Sequence, residues 1–240
     1  MTDAFTAAVA ADRYTDAPNR FITAGKTQFA YRELGPRGGV PLVLLNHWGA
    51  VLDNFDPRIV DLLGFSLGGF VAQDITLKAP DLVRKLILTG TGPAGGAGIE
   101  RVGAVSWPLM FKGIVTFRDP KTFLFFTSTN NGRRAANDFL ARLKERKINR
   151  DKRPTPRAFL RQLSAIKAWG RRAPQDLGRI HIPVLVAHGD NDIMVPTTNS
   201  RDMARRILNA ELEVYEDAGH GGIFQYHAQF VPKALSFLAA

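Results

Sequence analysis

Cysteine is absent from the chain, so disulfides are excluded and a reducing compartment is comfortable. Long apolar runs are missing as well. The strongest, residues 41–45 (PLVLL), has the length of a strand and falls far short of a bilayer span. The opening MTDAFTAAVAADRY carries an acid at Asp3 and no basic segment followed by an apolar stretch, so no secretory leader is expected. Internal repeats, glycine-rich phosphate loops and metal-ligand spacings are not found. These absences point to a soluble cytoplasmic protein that needs no cofactor and no metal and has no membrane partner.

Acids are the scarcer charge: 22 Asp and Glu stand against 32 Lys and Arg, a net charge of +10. That excess would ordinarily raise the question of nucleic acid, but its distribution answers it. Between Arg133 and Arg172 there are 14 basic residues and three acids (Asp138, Glu145, Asp151), so this stretch alone carries +11 and the remainder sums to −1. A basic patch confined to one stretch reads as a solvated helical face, and no nucleic-acid partner is expected.

What is present is an ordinary globular composition, 45% apolar in 240 residues, which suits one core domain with an inserted lid. Residues 19–24 and 27–34 read as short strands parted by the turn-like Gly25-Lys26. Residues 41–46 (PLVLLN), 61–65, 85–89 (KLILT) and 183–188 (PVLVAH) are continuous apolar runs of the kind buried on both faces of a parallel sheet. Helices fit residues 67–78 (ended by Pro80), 198–208 and 228–238, and a further strand fits 211–215. Strands alternating with helices predict an α/β fold with a mostly parallel sheet flanked by helices. Residues 93–176 break the rhythm. They begin with small residues, pass through an aromatic-rich part (Trp107, Phe111, Phe117, Phe123, Phe125, Phe126) and end in the basic stretch. This is the texture of a helical cap, inserted between core segments 1–92 and 177–240.

One motif carries chemistry. Gly64-Phe65-Ser66-Leu67-Gly68 places a serine between two glycines, with an apolar strand before and a helix after. A nucleophile exposed above a sheet needs such a sharp strand-to-helix turn, and the glycines permit its cramped backbone. By composition about 0.05 such matches would arise by chance in a chain like this, so the context decides the assignment.

With this elbow, the chain resembles the α/β-hydrolase family, and the resemblance covers most of its length. It implies an acid on a loop after a late strand and a histidine after the last strand. In PVLVAHGDNDIMVP, Asp192 holds the acid's register four residues into Gly189-x-x-Asp192, with Asp190 as the rival. His188-Gly189-Asp190 then belongs to the acid loop, and His188 and His181 take structural roles. In EVYEDAGHGGIF, His220 holds the histidine position. The implied triad is Ser66, Asp192 and His220, with His220 as base and Asp192 fixing its tautomer. The resemblance also implies an oxyanion hole from the backbone N–H groups of Leu67 and Trp48. Where the family usually has His-Gly, this chain has Asn46-His47, so His47 replaces a glycine in the loop.

The connection from the oxyanion loop to the elbow is short. Family members place two β–α units there, and one βαβ unit takes roughly 30 residues or more. Here the strand and D-x-R-G-x-G-x-S loop of one unit, and the helix before the elbow strand, are missing. The strand at 41–46 is therefore expected beside the strand at 61–65, in parallel, with 51–60 as a shortened crossover. The strand at 27–34 is expected to close against 41–46 or to leave an apolar edge that favours a homo-oligomer. The resemblance implies a serine hydrolase acting on a small-molecule substrate, through a small ester or a related acyl or C–C bond. The serine argues against dehalogenase and epoxide-hydrolase chemistry, which uses a carboxylate there. A truncated protein that keeps the fold for binding, without turnover, is the alternative.

Overall fold

The computed structural model describes residues 16–35, 43–50, 63–147, 150–151 and 154–240. The strands are β1 (Arg20–Ala24), β2 (Thr27–Tyr31), β3 (Leu44–Leu45), β4 (Leu63–Phe65), β5 (Leu86–Thr89), β6 (Val184–Gly189) and β7 (Ala210–Tyr215). The helices are α1 (Leu67–Lys78), α2 (Val102–Val115), α3 (Lys121–Leu124), α4 (Asn130–Arg142), α5 (Pro156–Arg171), α6 (Thr198–Arg206), α7 (Gly222–Gln225) and α8 (His227–Ala239). Strands β3 to β7 form one parallel sheet in chain order, while β1 and β2 make a separate antiparallel hairpin around Gly25-Lys26. The fold is α/β, as the alternation of strands and helices predicts.

The continuous apolar runs are explained by what covers them. Every residue of β5 and β6 is buried, and alternate side chains join different cores. Ile87, Leu185 and Ala187 face the larger core with Phe139, Leu163, Ile166 and Trp169 from α4 and α5. Leu86, Leu88, Val184 and Val186 face a smaller one with Met203 and Ile207 at the end of α6. A strand packed on both faces cannot alternate apolar with polar, which is why these segments read as unbroken hydrophobic stretches. The helices α2 to α5 all lie between β5 and β6 in the chain.

At the short connection, β3 lies directly beside β4, with Leu44 opposite Leu63 and Leu45 opposite Gly64. The expected crossover at 51–60 lies outside the described residues, as do 41–42 and 61–62 at the ends of the two expected strands. β3 is the outer strand of the described sheet.

The basic stretch is not uniformly outward. Arg146 is buried and donates to the Ala17 carbonyl at 3.0 Å. Asp151 accepts from both Arg32 and Asn19 at 2.9 Å, which ties the loop before α5 to the hairpin. The aromatic residues of the insert divide. Phe125 and Phe126 are core, whereas Trp107, Phe111 and Phe117 are exposed. Spacing along a helix does not by itself say which face meets the sheet.

Candidate active site

The turn from β4 into α1 is strained at one residue. Ser66 has φ 56° and ψ −120°, a left-handed conformation that non-glycine residues rarely adopt. Three backbone bonds pin it there. Ser66 N–H donates to Thr89 O (2.9 Å), and its carbonyl accepts from Gly69 N–H (2.9 Å) and Thr91 Oγ (2.8 Å). The flanking glycines are steric requirements. A Cβ on Gly64 would lie 2.7 Å from the Gly69 Cα, and one on Gly68 only 2.1 Å from the Leu45 carbonyl oxygen. The pattern Gly-x-Ser-x-Gly thus records how closely α1 approaches strands β4 and β3.

On the loop after β6, Asp192 is buried and fully partnered. Its Oδ1 accepts from Met194 N–H (2.8 Å) and Val195 N–H (3.0 Å), and its Oδ2 lies 2.6 Å from His220 Nδ1. Burial by itself would raise the carboxyl's pKa. The charge of His220 and hydrogen bonds from His188 and His220 outweigh it and hold the group well below the usual carboxylate range. A carboxylate oxygen only accepts, so His220 carries its proton on Nδ1. In the neutral imidazole Nε2 is then a bare lone pair, and it is buried without a hydrogen-bond partner. Ser66 is buried on the adjacent loop, and the ring of its neighbour Phe65 lies 5.0 Å from that of His220. No hydrogen bond joins Ser66 Oγ to His220 among the described residues. Such bonds often tighten when substrate binds.

Trp48 is held from the insert. Its ring stacks on Phe159 with centroids 4.3 Å apart, Nε1–H donates to the Phe159 carbonyl (2.9 Å), and the next residue, Gly49, donates its N–H to Gln162 Oε1 (2.8 Å). Among the described residues, neither the Trp48 nor the Leu67 backbone N–H is engaged in a hydrogen bond. Phe125 roofs the site, its ring 5.4 Å from that of His220 and 5.1 Å from that of His47.

Residues 46–225 match the family described as the alpha/beta hydrolase fold. The chain belongs to that family. Among solved structures, the chain resembles an alpha/beta hydrolase fold protein from Chitinophaga pinensis, with a TM-score of 0.85 and 29% identity over 93% of this chain and 98% of that one. A fold of this extent therefore has a counterpart among solved structures. Curated relatives include a pimeloyl-[acyl-carrier protein] methyl ester esterase from Nitrosomonas europaea, 27% identical over 73% of this chain and 69% of the relative. Another is a 2-hydroxy-6-oxononadienedioate/2-hydroxy-6-oxononatrienedioate hydrolase from Klebsiella pneumoniae, 30% identical over 79% of this chain. This chain spans 66% of that relative's length.

Two histidines gain significance that sequence reasoning did not give them. His188, read as structural, has Nε2 3.0 Å from Asp192 Oδ2. Its position immediately before Gly189 was the available signal, but no pattern says which way a buried strand residue turns. His47 is buried edge-on against Phe65 and Phe125. Its Nδ1–H donates to the Trp48 carbonyl at 2.8 Å, and Nε2 is buried without a partner. Asp190, the rival acid, serves the loop instead, accepting from Ala218 N–H (3.1 Å) and Asn191 Nδ2 (2.7 Å). His181 is exposed, and its carbonyl accepts from Asn209 Nδ2 (2.8 Å).

His47 gives the protein a pH-dependent stability. Burial pushes its pKa down from 6.5 to about 3. The hydrogen bond to Trp48 opposes this, and the charges of His220 and Lys121 add to it. A depressed pKa means that the unfolded chain binds the proton more readily. The contribution is therefore intact above pH 6.5 and is lost as pH falls from there towards 3. Between pH 7 and pH 5 the loss should be about 2 kcal/mol, read from urea midpoints. His47→Asn should show a pH dependence smaller by that amount. Equal slopes in the two proteins would mean that His47 is not the titrating group.

Proposed function

We propose that the protein is a serine hydrolase that cleaves a small ester, or a related acyl or C–C bond, through a covalent enzyme intermediate formed on Ser66. The observation that carries this reading is the buried Asp192–His220 pair at 2.6 Å, which leaves the Nε2 lone pair of His220 unpartnered next to the elbow of Ser66. In the ester reaction, His220 Nε2 takes the Ser66 hydroxyl proton as Oγ attacks the substrate carbonyl. The backbone N–H groups of Leu67 and Trp48 are free to donate to the oxyanion that develops. When the tetrahedral adduct collapses, the bond to the alcohol breaks and His220 returns the proton to the departing oxygen. Water, deprotonated by His220, then attacks the acyl-enzyme, releasing the acid and restoring Ser66. The imidazolium formed at each step is stabilised by Asp192, whose lowered pKa keeps it ionised.

Residues 93–176 serve in this reading as a lid. Phe159 and Gln162 on α5 brace the oxyanion loop, and Phe125 closes over His220. The aromatic lining favours an apolar acyl or aryl group on the substrate. The alternative, a protein that keeps the fold without turnover, rests on the short connection between β3 and β4. A fluorophosphonate probe separates the two. Stoichiometric labelling that peptide mapping places on Ser66 is expected for the hydrolase, and an unlabelled, folded protein would leave the binding role.

A further inference from the structure

Asp192 is a buried carboxylate with four nitrogens within 3.0 Å of its oxygens, and one of them belongs to a residue that has no part in the proton transfers described above. His188, on β6, is buried with Asp192; both side chains are fully shielded from solvent. Its Nε2 lies 2.8 Å from the Val195 carbonyl oxygen and 3.0 Å from Asp192 Oδ2. Both oxygens can only accept, so Nε2 carries a proton; it is donated to the Val195 carbonyl, with Asp192 Oδ2 close beside that bond. The opposite ring nitrogen, Nδ1, is hydrogen-bonded to Ser200 Oγ on α6. The ring is therefore gripped at both ends, and the oxygen it approaches is the same Oδ2 that receives His220.

We propose that His188 is a positioning residue for the triad: its Nε2–H holds Asp192 Oδ2 in line with His220 Nδ1 and takes up part of the negative charge that Asp192 would otherwise offer the imidazole. This rests on the serine hydrolase reading of the site. A carboxylate shared between two donors is a weaker acceptor for each, so His188 lowers the basicity of His220 as well as fixing its orientation. Few other charges reach the pair. The groups acting on Asp192 are His220 and His188, with His47 beyond His220 and Lys121 acting on His47. β7 sets Val214 opposite His188, and β5 and α7 contain no ionisable residue. On α6, Asp202 is paired with Arg205 and Arg206, Arg201 is exposed, and Ser200 is the residue that meets the ring.

The test is the rate of Ser66 labelling by a fluorophosphonate as a function of pH, in the full chain. His188→Leu should slow labelling at neutral pH by about ten- to a hundred-fold, the loss typical of a hydrogen bond to a charged group. Its acid limb should move to higher pH, because an unshared carboxylate makes the imidazole more basic. His188→Gln, whose amide nitrogen reaches near the Nε2 position, should restore most of the rate and of the profile. Ser200→Ala, which releases the far side of the ring, should give a smaller change in the same direction. A purely structural role would lower the melting temperature without moving the acid limb. A folded His188→Leu protein with the wild-type profile, or one whose acid limb moves to lower pH, would overturn the proposal. If His188→Leu fails to fold, Ser200→Ala decides by the same criterion. The low-field proton resonance of His220 Nδ1–H supplies a reading independent of reactivity. It should shift when the His188 donor is removed, and its failure to shift refutes the coupling even in a protein whose Ser66 is never labelled. Absence of labelling in the wild type, by contrast, refutes the hydrolase reading itself.

Discussion

Ser66→Ala is expected to lower turnover of a short p-nitrophenyl ester by roughly 10⁶ in kcat, to the level that oxyanion donors and binding alone supply. The fold should survive. The bonds that hold Ser66 in its left-handed conformation are made by its backbone N–H and carbonyl, with Thr89, Gly69 and Thr91, and alanine retains all three. The strain at φ 56° is also common to both residues, since each carries a Cβ. Melting temperature and circular dichroism should therefore match the wild type while labelling and hydrolysis vanish together. Undiminished turnover in a correctly folded variant would take Ser66 out of the mechanism.

The second large effect separates two carboxylates two residues apart. Asp192→Asn should cost about 10⁴ in kcat, and Asp190→Asn should change turnover little. Asp192 gives His220 an oxygen that can only accept, which fixes the proton on Nδ1 and leaves Nε2 as the base. An amide can turn its NH₂ group towards the ring and favour the other tautomer, in which Nε2 carries the proton and cannot take one from serine. Asp190 makes its bonds to Ala218 N–H and Asn191 through Oδ1, an acceptor that asparagine preserves. Kinetics of the two variants on one ester settle the ranking, and the reverse order would give the acid's role to Asp190.

Much of this architecture is legible without coordinates, for a definite reason. The doubly covered strands announce themselves as unbroken apolar runs because both of their faces are buried. The helix expected at 67–78 is observed as α1, Leu67–Lys78, since the elbow starts it and Pro80 prevents its continuation. The candidate triad could be named because its local signatures, a glycine-flanked serine and a Gly-x-x-Asp loop, reflect short-range constraints on the backbone.

Other features depend on contacts between distant parts of the chain. The sequence does not show that Trp48 stacks on Phe159, 111 residues away, or that Arg146 turns inward to Ala17. Nor does it show that Phe125 roofs the histidine while Phe117 lies in solvent. His188 is the clearest case. Its residue type and its strand were evident, but whether its nitrogen faces Asp192 is set by the seating of α6 and of the loop after β6, down to a fraction of an ångström. Local backbone requirements write themselves into the sequence as glycines, prolines and apolar runs. The sharing of one carboxylate oxygen between two imidazoles leaves no such mark, because it arises only when separate segments pack together.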